Sequence, residues 1–183
     1  MEEAMQSFEF AVLDFIQNNI ANDFLDFIMP KITALGNAGV LWIVLTVIFL
    51  ISKKYRSTGW VMLIALVLDL ILCNIILKPL VARTRPYDIN TAFELLIPAQ
   101  HDYSFPSGHS AASFAAVSAM YFTKCSLWKP AVFVAAAIAF SRLYLYVHFP
   151  TDVAAGILLG ILSGLAAVKI YKRLFLKNRE ANY

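Results

Sequence analysis

The chain has 183 residues, 60% of them apolar, with 15 lysines and arginines against 12 acids. Soluble domains are about 45–50% apolar, so this composition leaves too little polar surface for a water-soluble fold and makes lipid the solvent for much of the chain. The net charge of +3, with no cations interleaved among aromatics, argues against nucleic acid as a partner, and two cysteines (Cys73 and Cys125) do not make a disulfide framework.

Met1 is followed by Glu2 and Glu3, not by the positive charge of a secretory leader, so insertion is expected from internal apolar segments. Phe8, Val12, Phe15 and Ile16 recur at helical spacing, as do Leu25, Ile28, Met29 and Ile32. Glu9, Asp14, Asp23 and Asp26 fall largely off those stripes. Residues 1–31 thus read as two short amphipathic helices lying at the membrane interface. Five uncharged or nearly uncharged runs follow: Ile32 to Ser52, Ser57 to Leu77 around Asp69, His109 to Thr123, Pro130 to Val147 around Arg142, and Val153 to Val168. A spanning helix needs roughly 20 residues. The last three runs are shorter and reach across only if the neighbouring polar residues lie within membrane depth. The expected fold is one all-α domain, a polytopic membrane bundle of about five spanning helices over 32–176, with a basic cytoplasmic tail at 177–183. Gly156, Gly160 and Gly164 make a smooth stripe in the last run, where another helix can approach closely.

Alternating spans put Lys53, Lys54, Arg56, Lys124, Lys129, Lys169, Lys172, Arg173, Lys177 and Arg179 on one side, ten of the 15 cations. The other side receives ten of the 12 acids. The positive-inside rule makes this a multi-pass cell-membrane protein with a cytoplasmic C-terminus. The polar loop from Arg83 to Ser110 then faces the extracytoplasmic side.

Charge at membrane depth costs roughly 2.5–3.5 kcal/mol per group and marks function by default. "KPLVARTRP" holds Lys78 and Arg85; "PSGH" holds Ser107, Gly108 and His109; "SRLYLYVHFPTD" holds Arg142, His148 and Asp152. Alternation brings all of them to one face. Such an inventory suits phosphoryl transfer, which is mostly charge neutralisation and alignment. Lys78, Arg85 and Arg142 neutralise, the arginines by bidentate contacts. Ser107 and Gly108 open a helix whose first N–H groups form an anion site, and glycine lets the backbone approach closely. His148, placed just before a helix begun at Pro150, is the candidate nucleophile, oriented by Asp152 in the first turn. His109 is left to donate a proton to the departing oxygen. Neither a metal nor a cofactor is expected, since the surrounding cations would repel a divalent ion.

These three motifs, in full and in order, resemble those of the type-2 phosphatidic acid phosphatase superfamily, which also includes vanadium haloperoxidases. The resemblance covers about Ser57 to Val168, with a loose match before it. It implies a metal-independent phosphohistidine mechanism with His148 as nucleophile, Asp152 as its partner and His109 as acid, then base. It assigns Lys78, Arg85, Ser107, Gly108 and Arg142 to the phosphate cradle. Small size is similar to compact bacterial members that hydrolyse undecaprenyl diphosphate, the first expectation here. Phosphatidylglycerophosphate, phosphatidate and lipid A are alternative substrates, and a phospholipid carrier without turnover is the non-enzymatic alternative. His101 reads as surface and Arg83 as a loop cation that is either solvated or touches substrate. Asp69, half a turn from Lys78 on an α-helix, reads as a structural hydrogen bond to a neighbouring helix. Asn74 reads as a support for Lys78, and Tyr87, Tyr144 and Tyr146 as interfacial aromatics.

Overall fold

The computed structural model describes residues 2–176, and the tail expected at 177–183 lies outside the described residues. No strand occurs among these residues. α1 (Glu2–Asn19) and α2 (Asp23–Leu35) lead into α3 (Val40–Ile51) and α4 (Arg56–Asp69). Two short helices, α5 (Lys78–Val81) and α6 (Pro86–Ile89), precede three longer ones, α7 (Gly108–Phe122), α8 (Trp128–Tyr144) and α9 (Pro150–Tyr171). A π-helical stretch, Leu70–Leu77, joins α4 to α5 without a break. Pro79 lacks an N–H and its ring crowds the carbonyl four residues back. The wider winding before it, with the Lys78 N–H bonded to Cys73 O, accommodates that crowding.

Among the described residues, two helical segments are long and apolar enough to cross a membrane, Arg56–Ile89 and Pro150–Phe175. A third is the pair Asp23–Leu35 and Asn37–Ile51, bent by 45°. α7 has 15 residues and α8 has 17, about 22 and 25 Å at 1.5 Å per residue, short of the roughly 30 Å of a hydrocarbon core. Helix lengths therefore support two or three spans, and the count of five stays a reading of the sequence. The run expected from Ile32 to Ser52 is not one helix. It breaks at 36–39, where Ala38 and Gly39 adopt left-handed backbone at φ 49° and 67°. A Cβ on Gly36 would lie 2.7 Å from His109 Cδ2 and 2.9 Å from Ile138, so glycine lets the bend close onto the site.

α7 packs at the centre against α4, α8 and α9, and its Ala- and Ser-rich surface is almost wholly buried. The glycine stripe behaves as expected. A Cβ at Gly156 would lie 2.5 Å from Ser107 O, and one at Gly160 would overlap Ala111 O and stand 2.7 Å from Ala115 N. Ser118 Oγ donates across the same seam to Gly160 O at 3.2 Å. Because backbone atoms cannot rotate away, Gly160→Ala should cost about 1–3 kcal/mol, the usual penalty of overpacking. Thermal unfolding in detergent would show it as a lower midpoint.

Large apolar side chains stay exposed along α3, α4, α8 and α9, among them Ile48, Val67, Phe133 and Leu158, as a lipid-facing surface requires. The first turns of α4 meet the π-helical turn Lys172–Leu176 that follows α9, where Trp60 and Phe175 rings lie 5.4 Å apart. α1 and α2 lie across the opposite end, over residues 144–149. Phe8 and Phe15 do point away from the bundle, but Leu13, Ile16 and Glu9 point into it. Tyr87, Tyr144 and Tyr146 are buried, not interfacial. Tyr144 donates to Asp26 Oδ1 at 2.5 Å and Tyr146 to Asp14 Oδ1 at 2.7 Å, so two acids lying off the apolar stripes clamp the N-terminal helices down.

Candidate active site

One cavity of about 810 Å³ gathers Lys78, Arg85, Gly108, His109, Arg142 and His148. They arrive from five separate places along the chain, each at or beside a helix end. Lys78 closes the π-helical stretch, Arg85 precedes α6, Gly108 and His109 open α7, Arg142 lies in the last turn of α8, and His148 sits between α8 and α9. Ser107 and Asp152 do not line the cavity. Ser107 is buried beneath it, accepting from Ser110 Oγ at 3.0 Å while its N–H bonds Asp152 O at 3.0 Å.

His148 is delivered by a tight turn. Tyr146 there has φ 58°, a left-handed conformation that is costly for a residue with a Cβ. Its bond to Asp14 and a stacked contact with Phe93, ring centroids 4.2 Å apart, hold it. α9 then starts at Pro150, as expected. Asp152 Oδ2 accepts from the Phe149 N–H at 2.9 Å, the carboxylate half of a capping box.

The His148–Asp152 pairing differs from the simple contact expected. Nδ1 of His148 stands 3.6 Å from Asp152 Oδ2, beyond hydrogen-bonding distance. Ser104 fills the gap: its Oγ donates to Asp152 Oδ2 at 2.5 Å and lies 3.4 Å from His148 Nδ1. A chain from Nδ1–H through Ser104 to Asp152 leaves Nε2, 3.4 Å from Arg85 Nη1, as the atom on the cavity side. Burial, then the cations Arg85, Arg142 and Lys78, push the His148 imidazole well below the ordinary histidine value.

Asp102 sits against two of the cations. It pairs with Lys78, accepts from Arg85 Nη2 at 2.5 Å, and receives Arg85 Nε on its backbone oxygen at 2.8 Å. Partial burial alone would raise this carboxyl, but Lys78 and Arg85 outweigh that and lower it to about 2. Arg142, 1% exposed, donates from Nη1 to Thr33 Oγ1 at 2.5 Å, while its Nε has no partner among the described residues. His109 Nε2 lies 2.9 Å from Asn37 Oδ1. An amide oxygen only accepts, so this nitrogen carries the proton.

Arg83 does not line the cavity, and its partly exposed side chain is engaged by acids. It pairs with Glu9 and, at 2.6 Å, with Asp152 Oδ1, and stacks 4.1 Å over Phe149. Glu9 also accepts from the Thr151 N–H at 3.2 Å. Asn74 makes no hydrogen bond to Lys78; it stands beside Gly108 in the cavity wall. Sequence reasoning missed Glu9, Asn37, Asp102 and Ser104. The last two had a signal, lying just before "PSGH" in "HDYSFPSGH". Glu9 and Asn37 had none, being brought in by tertiary packing alone.

Three buried cations, two histidines lining the same cavity and a carboxylate behind one of them define a site for an anionic group. The family follows from comparison: the PAP2 superfamily model matches residues 58–176, and the chain belongs to that superfamily. An undecaprenyl-diphosphatase of Sulfolobus acidocaldarius is 34% identical over 131 residues, which span 71% of this chain and 63% of that relative. Phosphatidylglycerophosphatase B of Bacillus subtilis is 35% identical over 156 residues, 78% of this chain and 73% of that one. The crystal structure of a PAP2-type phosphatidylglycerolphosphate phosphatase from Bacillus subtilis superposes with a TM-score of 0.75 at 28% identity, covering 93% of this chain and 88% of the other.

Proposed function

We propose that this protein is an integral-membrane lipid phosphatase working through a phosphohistidine. The observation that supports this best is the shared cavity wall: a buried histidine with one nitrogen backed by Ser104 and Asp152 and the other facing a cationic cradle. The phosphate exchanges with the Asp102 carboxylate on Lys78 and Arg85 and takes the open Nε of Arg142. Nε2 of His148 bonds to phosphorus as the P–O bond to the lipid breaks. The bound phosphate dianion favours the imidazolium form of His109, which passes its Nε2 proton, the one shared with Asn37, to the leaving oxygen and is left neutral with a proton on Nδ1. Water then attacks phosphorus, the N–P bond breaks, and His109 takes the water's proton. Charge neutralisation comes from the three cations, so no metal enters the scheme. The site faces the extracytoplasmic side, in keeping with the basic clusters at the far end of the bundle.

Undecaprenyl diphosphate is the first substrate in this reading, supported by the Sulfolobus relative. Phosphatidylglycerophosphate or phosphatidate is the second, supported by the Bacillus relative and by polar groups deep in the cavity. Phosphate release by purified protein from a panel of lipid mono- and diphosphates, with and without EDTA, tests both. Turnover that survives the chelator is expected; binding of every lipid without release would leave only a carrier.

The pH profile checks the nucleophile. Neutral imidazole is the attacking form, so activity is present above the His148 pKa and lost as pH falls through it. Because that pKa is depressed, the acid limb of kcat/KM should lie below the 6.5 of an unperturbed histidine. An acid limb at or above 6.5 would contradict the assignment.

A further inference from the structure

The cavity does not end at the cradle. It continues between α3 and α4 along Ile43, Val47, Leu50, Leu63, Leu66 and Val67, a slot of the right character for a lipid chain. One side chain on its wall is out of place. Asp69 is 2% exposed, lines this slot, and its Oδ1 has no hydrogen-bond partner. No ion pair or hydrogen bond to Asp69 occurs among the described residues. On an uninterrupted α-helix Asp69 and Lys78 would point in opposite directions. The π-helical winding at Leu70–Leu77 instead brings Asp69, Asn74 and Lys78 to one wall of the same cavity, with Asp69 two turns below the phosphate cradle.

Building on the lipid-phosphatase reading above, we propose that Asp69 is a specificity residue that hydrogen-bonds the glycerol-ester region of a bound glycerolipid phosphate. A buried polar group left unpaired weakens whatever complex buries it. A polyprenyl chain offers only carbon and hydrogen below its phosphates, and leaves Asp69 unpaired. A glycerolipid places ester carbonyls and, in some headgroups or lyso forms, hydroxyls in that part of the slot. As a carboxylate Asp69 accepts from such a hydroxyl; as a carboxylic acid it donates to such a carbonyl. The slot admits both lipid classes, and Asp69 favours one of them.

The test compares Asp69→Leu and Asp69→Asn with the parent on three lipids in mixed micelles: diacyl phosphatidate, its dialkyl ether analogue and farnesyl diphosphate. Asp69→Leu should lower kcat/KM for the diacyl lipid about tenfold, leave the prenyl diphosphate unchanged or improved, and erase the preference for ester over ether. Asp69→Asn, still a hydrogen-bonding group, should keep most of that preference. Equal loss on all three lipids, or no loss on any, overturns the proposal. Thermal shifts of the same variants carrying His148→Ala, in micelles doped with the same lipids, read binding without turnover. Should the parent release phosphate from none of them, the phosphatase reading falls. The Asp69 proposal is then decided separately, standing only if the diacyl lipid stabilises the chain with Asp69 intact more than it stabilises the Asp69→Leu variant.

Discussion

His148→Ala should abolish phosphate release from every lipid phosphate while leaving a folded protein. Loss of a covalent nucleophile costs on the order of 10⁶ in kcat elsewhere, and no other group takes its place here. Nε2 is the ring nitrogen on the cavity side, beside Arg85; Nδ1 is turned to Ser104 and Asp152. The fold should survive, because the turn around His148 is held by other bonds. Tyr146 is tied to Asp14, the Val147 carbonyl to Arg85, and the Phe149 N–H to Asp152. Removing a buried imidazole from the cavity wall leaves a hole that opens into the cavity. Unchanged elution on gel filtration and an unfolding midpoint within a few degrees of the parent are the controls. Brief incubation of the parent with ³²P-labelled lipid followed by rapid quenching should trap acid-labile, alkali-stable label on the chain, and His148→Ala should trap none. Turnover at the parent's rate in the variant would remove His148 from the chemistry. Normal labelling of the variant would move the nucleophile to another residue.

The parts of this arrangement that were legible in the sequence are those set by short-range rules. Charge in apolar runs is conspicuous because lipid makes it expensive, so Lys78, Arg85, Arg142 and His148 stood out. The start of α9 was legible because Pro150 fits the first turn of a helix and little else. The four-residue glycine spacing predicted the α7–α9 seam for a similar local reason. What escaped was whatever depended on a change of winding or on distant packing. Asp69 was misplaced because α-helical phase was applied across a segment that is π-helical, which turned a cavity-lining carboxyl into a supposed interhelical bond. The bend at Gly36–Gly39 escaped because its glycines lie inside one continuous apolar run. Glu9 was set aside as a polar residue off an apolar stripe, although it shares with Leu13 and Ile16 the face that α1 turns into the bundle. Arg83, partly exposed, joins the buried carboxylates of Glu9 and Asp152 in one ionic cluster that ties the N-terminal helix to the carboxylate behind His148. No periodicity in α1 could announce a partner 74 residues away.

Arg142→Ala should lower kcat by about 10²–10³, or 2.7–4 kcal/mol of transition-state stabilisation, the range for removing one donor aimed at developing charge. Of the three cations it is the one least occupied. Lys78 and Arg85 already share the Asp102 carboxylate, whereas Arg142 is almost fully buried with Nε unpartnered. A buried guanidinium that leaves a donor unused is normally waiting for an acceptor. Equatorial phosphoryl oxygens gather charge as the P–O bond breaks, so that donor counts most in the transition state. Arg142→Lys should recover only part of the loss, because an ammonium supplies charge without the planar fork. Arg142 also bonds Thr33 and so steadies α2, which offers a structural explanation for the same loss. Thr33→Val separates the two. It removes the anchor and keeps the guanidinium, and should reduce kcat far less than Arg142→Ala. If both variants lose activity equally, Arg142 acts through the position of α2; if Arg142→Ala stays within twofold of the parent, the cradle works without it.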